Sequence, residues 1–250
     1  MRVLQLNMNY SGTGADRCAR ELYEGLPAWG IETAMWVGDR RPGDPPEVHA
    51  VRNPWERFLA PLEAFPDLTD WRHRGCIAKL NSLTRRDFDL VHIHNIHSGS
   101  FSIRAVRDLA ARIPSVWTLH DEWAPNGGLT YNLTGKISPA ETRRLSRGPL
   151  HYIPYHRYHE NFKWRRTRRF LRHNLPQPNA VICPSRYMAN MAQDAGVFPK
   201  LLDRPLALRR MHGEPSPRGS KGSKNAYKHG QCTADVFARR GAIAKLIYDV

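Results

Sequence analysis

Three short segments carry residue types whose spacing suits chemistry. His92 and His94 alternate within Asp89-Leu90-Val91-His92-Ile93-His94, and His97 follows in the next polar stretch. On a strand, the period of two puts His92 and His94 on one face. Imidazoles are common metal ligands. Here no carboxylate or cysteine stands at a spacing that completes such a site, so no metal is expected. Two readings remain for these histidines. They are buried and hydrogen-bonded beside a cleft, or they touch a sugar or phosphate.

The second segment is Thr118-Leu119-His120-Asp121-Glu122-Trp123. A histidine beside a carboxylate can act as a base or orient a hydroxyl, which makes His120 and Asp121 the candidate catalytic pair. Trp123 offers a ring on which a sugar could stack. The alternative for His120 is a strand-end side chain capped by loop backbone. The third segment, Ser11-Gly12-Thr13-Gly14, could bring backbone N–H groups to an anion at a helix N-terminus. It is neither GxGxxG nor a phosphate-binding loop with Gly-Lys-Ser/Thr, and a plain tight turn is the competing reading.

These segments need strand ends to hold them. Residues 2–9 read as a strand, 15–26 as a helix with Ala19, Leu22, Tyr23 and Leu26 at helical spacing, and 31–38 as a second strand. A short strand at 48–51, helical pieces over 55–84, and strands at 89–94, 115–119 and 180–183 follow. Helices are expected at 101–112, 155–175 and 186–195. The alternation implies an α/β fold with a doubly wound, mostly parallel, Rossmann-like sheet over residues 1–197. Ligands of such sheets bind outside the carboxyl ends of the strands, where all three segments fall. Residues 198–250 lack periodicity and form an irregular basic tail, apart from one short helix near 238–248.

Composition narrows the classes. The chain has 250 residues, 41% hydrophobic, and a formal net charge of +15. That is enough apolar content for a core and too much for a disordered chain. No apolar run reaches the roughly 18 residues of a spanning helix. The N-terminal residues do not read as a secretory signal, and Cys18, Cys76, Cys183 and Cys232 are too scattered for a disulfide scaffold. Residues 1–100 carry 12 basic and 13 acidic side chains, whereas residues 151–250 carry 19 and 6. The expected helix over 155–175 interleaves Arg165, Arg166, Arg168 and Arg169 with aromatic residues. It suits an anionic membrane surface, or nucleic acid as the weaker option, or a merely solvated face. A nicotinamide-dependent dehydrogenase ranks last, with Asp39 alone near the ribose-binding position.

The ordered set of motifs resembles a known family. Ser-Gly-Thr-Gly-Ala-Asp (11–16), Asp-Leu-Val-His-Ile-His-Asn-Ile-His (89–97), Thr-Leu-His-Asp-Glu-Trp (118–123) with Gly127-Gly128, and Cys-Pro-Ser-Arg-Tyr-Met (183–188) look like the N-terminal domain of a family-4 glycosyltransferase of the GT-B fold, in the exopolysaccharide branch. The resemblance implies retaining, metal-independent transfer from a nucleotide sugar, UDP- or GDP-linked, to a sugar or lipid-linked acceptor. It implies a cytoplasmic protein working at the inner membrane face, with no tightly bound cofactor. By position, Gly12 and Gly14 match the glycine loop near the donor phosphates, with Thr13 between them a further candidate contact, and His120 matches the cleft histidine. Asp121 and Trp123 match residues just beyond it. His94, His97, Gly127 and Gly128 fall in the same cleft, and Ser185 matches the serine before the crossing to a second lobe.

The chain also departs from the pattern. Leu129 and Thr130 stand where the branch often has cysteines. Residues 198–250 contain no Glu-x7-Glu donor motif, Glu214 being their one glutamate. The expectation is therefore a truncated or frameshifted transferase whose tail is out of frame or disordered. It would be weak or inactive alone, unless a separate chain supplies the donor lobe. The alternative is a non-enzymatic module whose basic half holds anionic membrane or nucleic acid.

Overall fold

The structure is a computed structural model that describes residues 1–56, 58–59, 69–97, 101–125 and 169–198. All of them lie within one compact unit, Met1–Leu208. Six strands are described: β1 (Arg2–Asn7), β2 (Glu32–Val37), β3 (His49–Ala50), β4 (Leu90–Ile93), β5 (Ser115–Thr118) and β6 (Ala180–Ile182). They form one sheet in the order β3-β2-β1-β4-β5-β6, with every neighbouring pair parallel. The expected doubly wound α/β sheet is thus present. The order runs outward one way from β1 and the other way from β4, so the topological switch point lies between these two strands.

The helices are α1 (Gly14–Gly25), α2 (Thr69–Arg72), α3 (Arg74–Ser82), α4 (Ile103–Arg112) and α5 (Arg186–Ala195). Residues 169–174 are also helical. α1, α4 and α5 start where the sequence supplies a cap. The Ser102 hydroxyl accepts the Ala105 N–H at 3.2 Å, and the Ser185 hydroxyl accepts the Met188 N–H at 3.2 Å. α5 ends at Gly196, whose φ of +60° suits a residue without Cβ. The short strands β1 and β2 end sooner than their apolar pattern suggests. After Asn7 the chain turns away, and the Gly38 N–H donates to Met8 O at 3.0 Å.

The two faces of the sheet differ in chemistry. Register pairs Leu4 with Val91, Leu6 with Ile93, and Ile93 with Trp117. These residues, with Leu119, join Cys76 and Leu80 of α3 and Val106 and Leu109 of α4 in the main core. Each fully buried Val or Leu there contributes about 1.5–3 kcal/mol. The opposite face carries Gln5 and Asn7 on β1, His92 and the following His94 on β4, and Thr118 at the end of β5. All are buried. Only toward β2 and β3 does this face become apolar, where Met35, Val37 and Val48 pack with Ala19 of α1.

Several expected elements fall outside the described residues. These are Arg165, Arg166 and Arg168 in the basic helix, Gly127 and Gly128, and the tail from residue 199 onward. No described helix is long and apolar enough to cross a membrane.

Candidate functional site

The site is built on the carboxyl ends of β1, β4 and β5, at and beside the switch point. The β1 loop is braced from within. The buried Asp16 carboxylate accepts the Thr13 N–H at 2.7 Å and the Asn7 side-chain amide at 2.8 Å. Thr13 and Asp16 form a reciprocal capping box at the start of α1. The chain's own carboxylate therefore occupies the positive end of α1, which stabilises it. From the loop after β2, Arg41 donates to Ser11 O at 2.9 Å and to Asn9 Oδ1 at 3.0 Å. Asn7 Oδ1 accepts the Asn95 N–H at 3.1 Å, which ties this loop to the one after β4.

Gly12 is where this bracing becomes tight. Its φ is +147°, and a Cβ there would lie 2.9 Å from Asp16 Oδ2 and 3.3 Å from Arg41 Nη1. Gly12→Ala is expected to cost about 1–3 kcal/mol through backbone strain and a displaced carboxylate. Urea melts of the two proteins check it, and an unchanged midpoint with unchanged slope counts against the tight packing.

Three imidazoles pack in a row behind the cleft. His92 and His94 ring centroids are 4.1 Å apart, and those of His94 and His120 are 5.2 Å apart with planes 18° from parallel. His92 Nε2 lies 2.8 Å from Thr118 Oγ1. His94 Nε2 lies 2.8 Å from Gln5 Oε1, and its Nδ1 lies 2.9 Å from His120 Nε2. The Trp117 indole N–H donates to the His94 carbonyl at 2.9 Å and fixes the strand end. Burial holds all three rings neutral. It pushes His92 down to about 3, with His120 adding to the effect. It pushes His94 well below its usual value, with His92 and His120 adding. It lowers His120 to about 4, with His97 adding, against the opposing pull of the Asp121 and Asp16 carboxylates.

Asp121 does not pair with the adjacent His120. Its Oδ2 lies 2.6 Å from His97 Nε2, and its Oδ1 accepts the Trp123 N–H at 3.0 Å. The Trp123 ring is buried against His97, with centroids 5.3 Å apart. His97, Asp121 and Trp123 thus form one cluster that fixes the β4 and β5 loops to each other. The half-buried His120 stands beside it.

The structure brings Gly12, Thr13, Gly14, His94, His97, His120, Asp121 and Trp123 to one end of the sheet. Ser185 lies apart, at the end of β6, where its hydroxyl caps α5. Arg169 is exposed at the start of the helical residues 169–174. Asp39 is engaged by Arg52, whose Nε donates at 2.8 Å, so the dehydrogenase reading gains nothing from it. Sequence reasoning missed Gln5, Asn7, Asp16 and Thr118 as parts of the site. A signal existed for two of them: Gln5 and Asn7 are amides two apart within an apolar strand. No three His, Cys, Asp or Glu side chains among the described residues are grouped to hold a metal ion.

No curated protein matches the chain. The family model described as Glycosyltransferase Family 4 matches residues 12–202, from the glycine loop past the last described helix. That span holds five of the six parallel strands and the site segments from Gly12 onward, while β1 with Gln5 and Asn7 precedes it. With its motifs in order and its polar ends gathered at the switch point of a doubly wound sheet, the chain belongs to glycosyltransferase family 4.

Proposed function

We propose that this lobe binds the acceptor, and one side of the transferred sugar, in a retaining transfer from a UDP- or GDP-linked sugar. The acceptor is a sugar, lipid-linked at the inner membrane face, where the basic residues from 155 onward meet anionic headgroups. No resident cofactor or metal takes part. The nucleotide diphosphate is held by a second lobe, from outside the described residues or from a separate chain.

One observation carries the reading. The C-terminal end of the sheet presents a half-buried imidazole, His120, on a row of neutral, hydrogen-bonded side chains that cannot move without breaking buried bonds. Such a group is preorganised for a sugar oxygen and costs little reorganisation when charge develops on the sugar. Gly12 and Gly14 let the β1 loop approach the same ligand closely. Asp121 acts through His97 to hold the two loops at fixed separation.

The test is transfer from radiolabelled UDP- and GDP-sugars to membrane lipid extracts, with wild type and His120→Ala compared. A loss of about 10²–10³-fold in kcat is expected, the usual size for one preorganised polar contact. Equal rates would remove His120 from the reaction. If neither protein transfers any sugar, acceptor binding measured by sedimentation with lipid extract decides. Binding that is weakened in His120→Ala keeps the acceptor role, and an absence of binding ends it.

A further inference from the structure

Gln5 is fully buried in the middle of β1, yet its side-chain nitrogen has no hydrogen-bond partner. Its Oε1 lies 2.8 Å from His94 Nε2, and His94 Nδ1 lies 2.9 Å from His120 Nε2. These side chains make a single file of hydrogen bonds ending at the cleft. Each neutral imidazole has one N–H and one lone pair. The protons must therefore all point inward, toward Gln5, or all outward, toward the cleft.

The two directions differ in what they leave unpaired. With the amide oxygen against His94, both imidazoles are protonated at Nε2 and His120 shows a lone pair at Nδ1. Two amide N–H groups are then stranded in the interior. Oxygen and nitrogen of an amide are nearly equal in size, so their hydrogen bonds decide the orientation. Turned end for end, the Gln5 amide donates to His94 Nε2, His94 Nδ1–H donates to His120 Nε2, and the His120 proton sits on Nδ1. One amide N–H and a carbonyl oxygen are left over, so one stranded N–H is exchanged for a carbonyl. Buried carbonyls without partners are tolerated better than buried N–H groups, whose loss of hydration is uncompensated.

We propose that Gln5 is a positioning residue that directs this file outward, so that His120 meets the cleft as a neutral N–H donor at Nδ1 rather than as a base. The neutral amide puts no carboxylate at the inner end of the file, although Asp121 and Asp16 pull on His120 at its outer end. Its partner on the substrate is then an acceptor oxygen, whether of a hydroxyl, a sugar ring or a phosphoryl group. No described residue takes the His120 Nδ1 position in a hydrogen bond, which leaves it for that oxygen.

The inference rests on the sugar-transfer reading only for the identity of that oxygen. The imidazole signals need neither donor nor acceptor, so loss of transfer and a wrong tautomer are separate results. The experiment is a long-range ¹H–¹⁵N correlation of the histidine rings in the full chain at pH 7. His120→Gln and His94→Gln assign the signals. His94 and His120 are both expected as Nδ1–H tautomers. A wild-type His120 protonated at Nε2, or at both nitrogens, overturns the proposal. Gln5→Glu supplies an acceptor in place of the amide donor, so it should reverse the file and move His120 to the Nε2–H form. Gln5→Leu should leave a mixture of both. If Gln5→Glu folds and His120 keeps its Nδ1 proton, Gln5 does not set the direction. If that variant does not fold, the wild-type spectrum still decides whether the file points outward.

Discussion

Lowering the pH from 7 to 5 is expected to remove most of this domain's stability. His92, His94 and His120 are all held below their ordinary values, chiefly by burial. Above about pH 6.5 the rings are neutral in both folded and unfolded chains and contribute no pH dependence. Below it, the unfolded chain takes up protons that the folded chain refuses, so stability falls as pH falls. Each ring contributes a slope of up to about 1.4 kcal/mol per pH unit, and three give about 4. The fall continues until the folded pKa values are reached, about 4 for His120 and about 3 for His92. By pH 5 the loss is about 6 kcal/mol, comparable with the whole stability of an ordinary domain. Asp16 and Asp121 oppose the effect at His120, and His97 adds to it. Urea melts at pH 7, 6 and 5 measure the slope. His92→Gln, which keeps a polar group near Thr118, should flatten it by about a third. A midpoint that does not move between pH 7 and 5 would mean that water reaches the rings.

The same histidines show how far the sequence could be read. The strand at 89–94 and its alternation were legible because a period of two needs only residue types. The site's position was legible too, because strand-end polar residues of a doubly wound sheet face one crevice. Pairing was not legible. His120 and Asp121 are neighbours in the chain, and adjacency suggested a pair. At the end of β5 the chain sends them to different partners, His94 and His97. Which of two adjacent side chains meets which loop depends on the register between β4 and β5, and no local pattern encodes it. Trp123 illustrates the same gap. Its type suggested sugar stacking, but its ring is buried against His97. Gln5 and Asn7 are the reverse case. Their types were visible, but their value depends on β1 lying between β2 and β4, which only the sheet order supplies.

Asp16→Ala is expected to be the most damaging single change outside the main core. The carboxylate is fully buried and serves the Thr13 N–H, the Thr13 hydroxyl and the Asn7 amide at once. Alanine has no acceptor, so the buried Asn7 N–H that met the carboxylate loses its partner, while the N–H of the exposed Thr13 turns to water. Loss of the cap costs about 0.5–2 kcal/mol. Each orphaned buried donor adds about 1–3 kcal/mol. Asn7 retains Asn9 O at 2.7 Å, so it is not wholly abandoned, and a total of about 2–5 kcal/mol follows. The effect should reach the cleft, because Asn7 also holds the Asn95 N–H at the start of the loop that carries His97. Asp16→Asn separates charge from shape. It keeps one acceptor oxygen for Thr13 but turns an N–H₂ group toward a donor, either Asn7 or Thr13, and should cost less than alanine. It also removes a negative charge that raises the His120 pKa, so His120 should become still harder to protonate. Urea melts of the three proteins, with the His120 ring titrated by NMR in each, check both halves. Equal stability of wild type and Asp16→Ala would mean that the β1 loop is held by Arg41 and not by the carboxylate. A His120 titration unchanged in Asp16→Asn would mean that the charge is screened from the ring by water in the cleft.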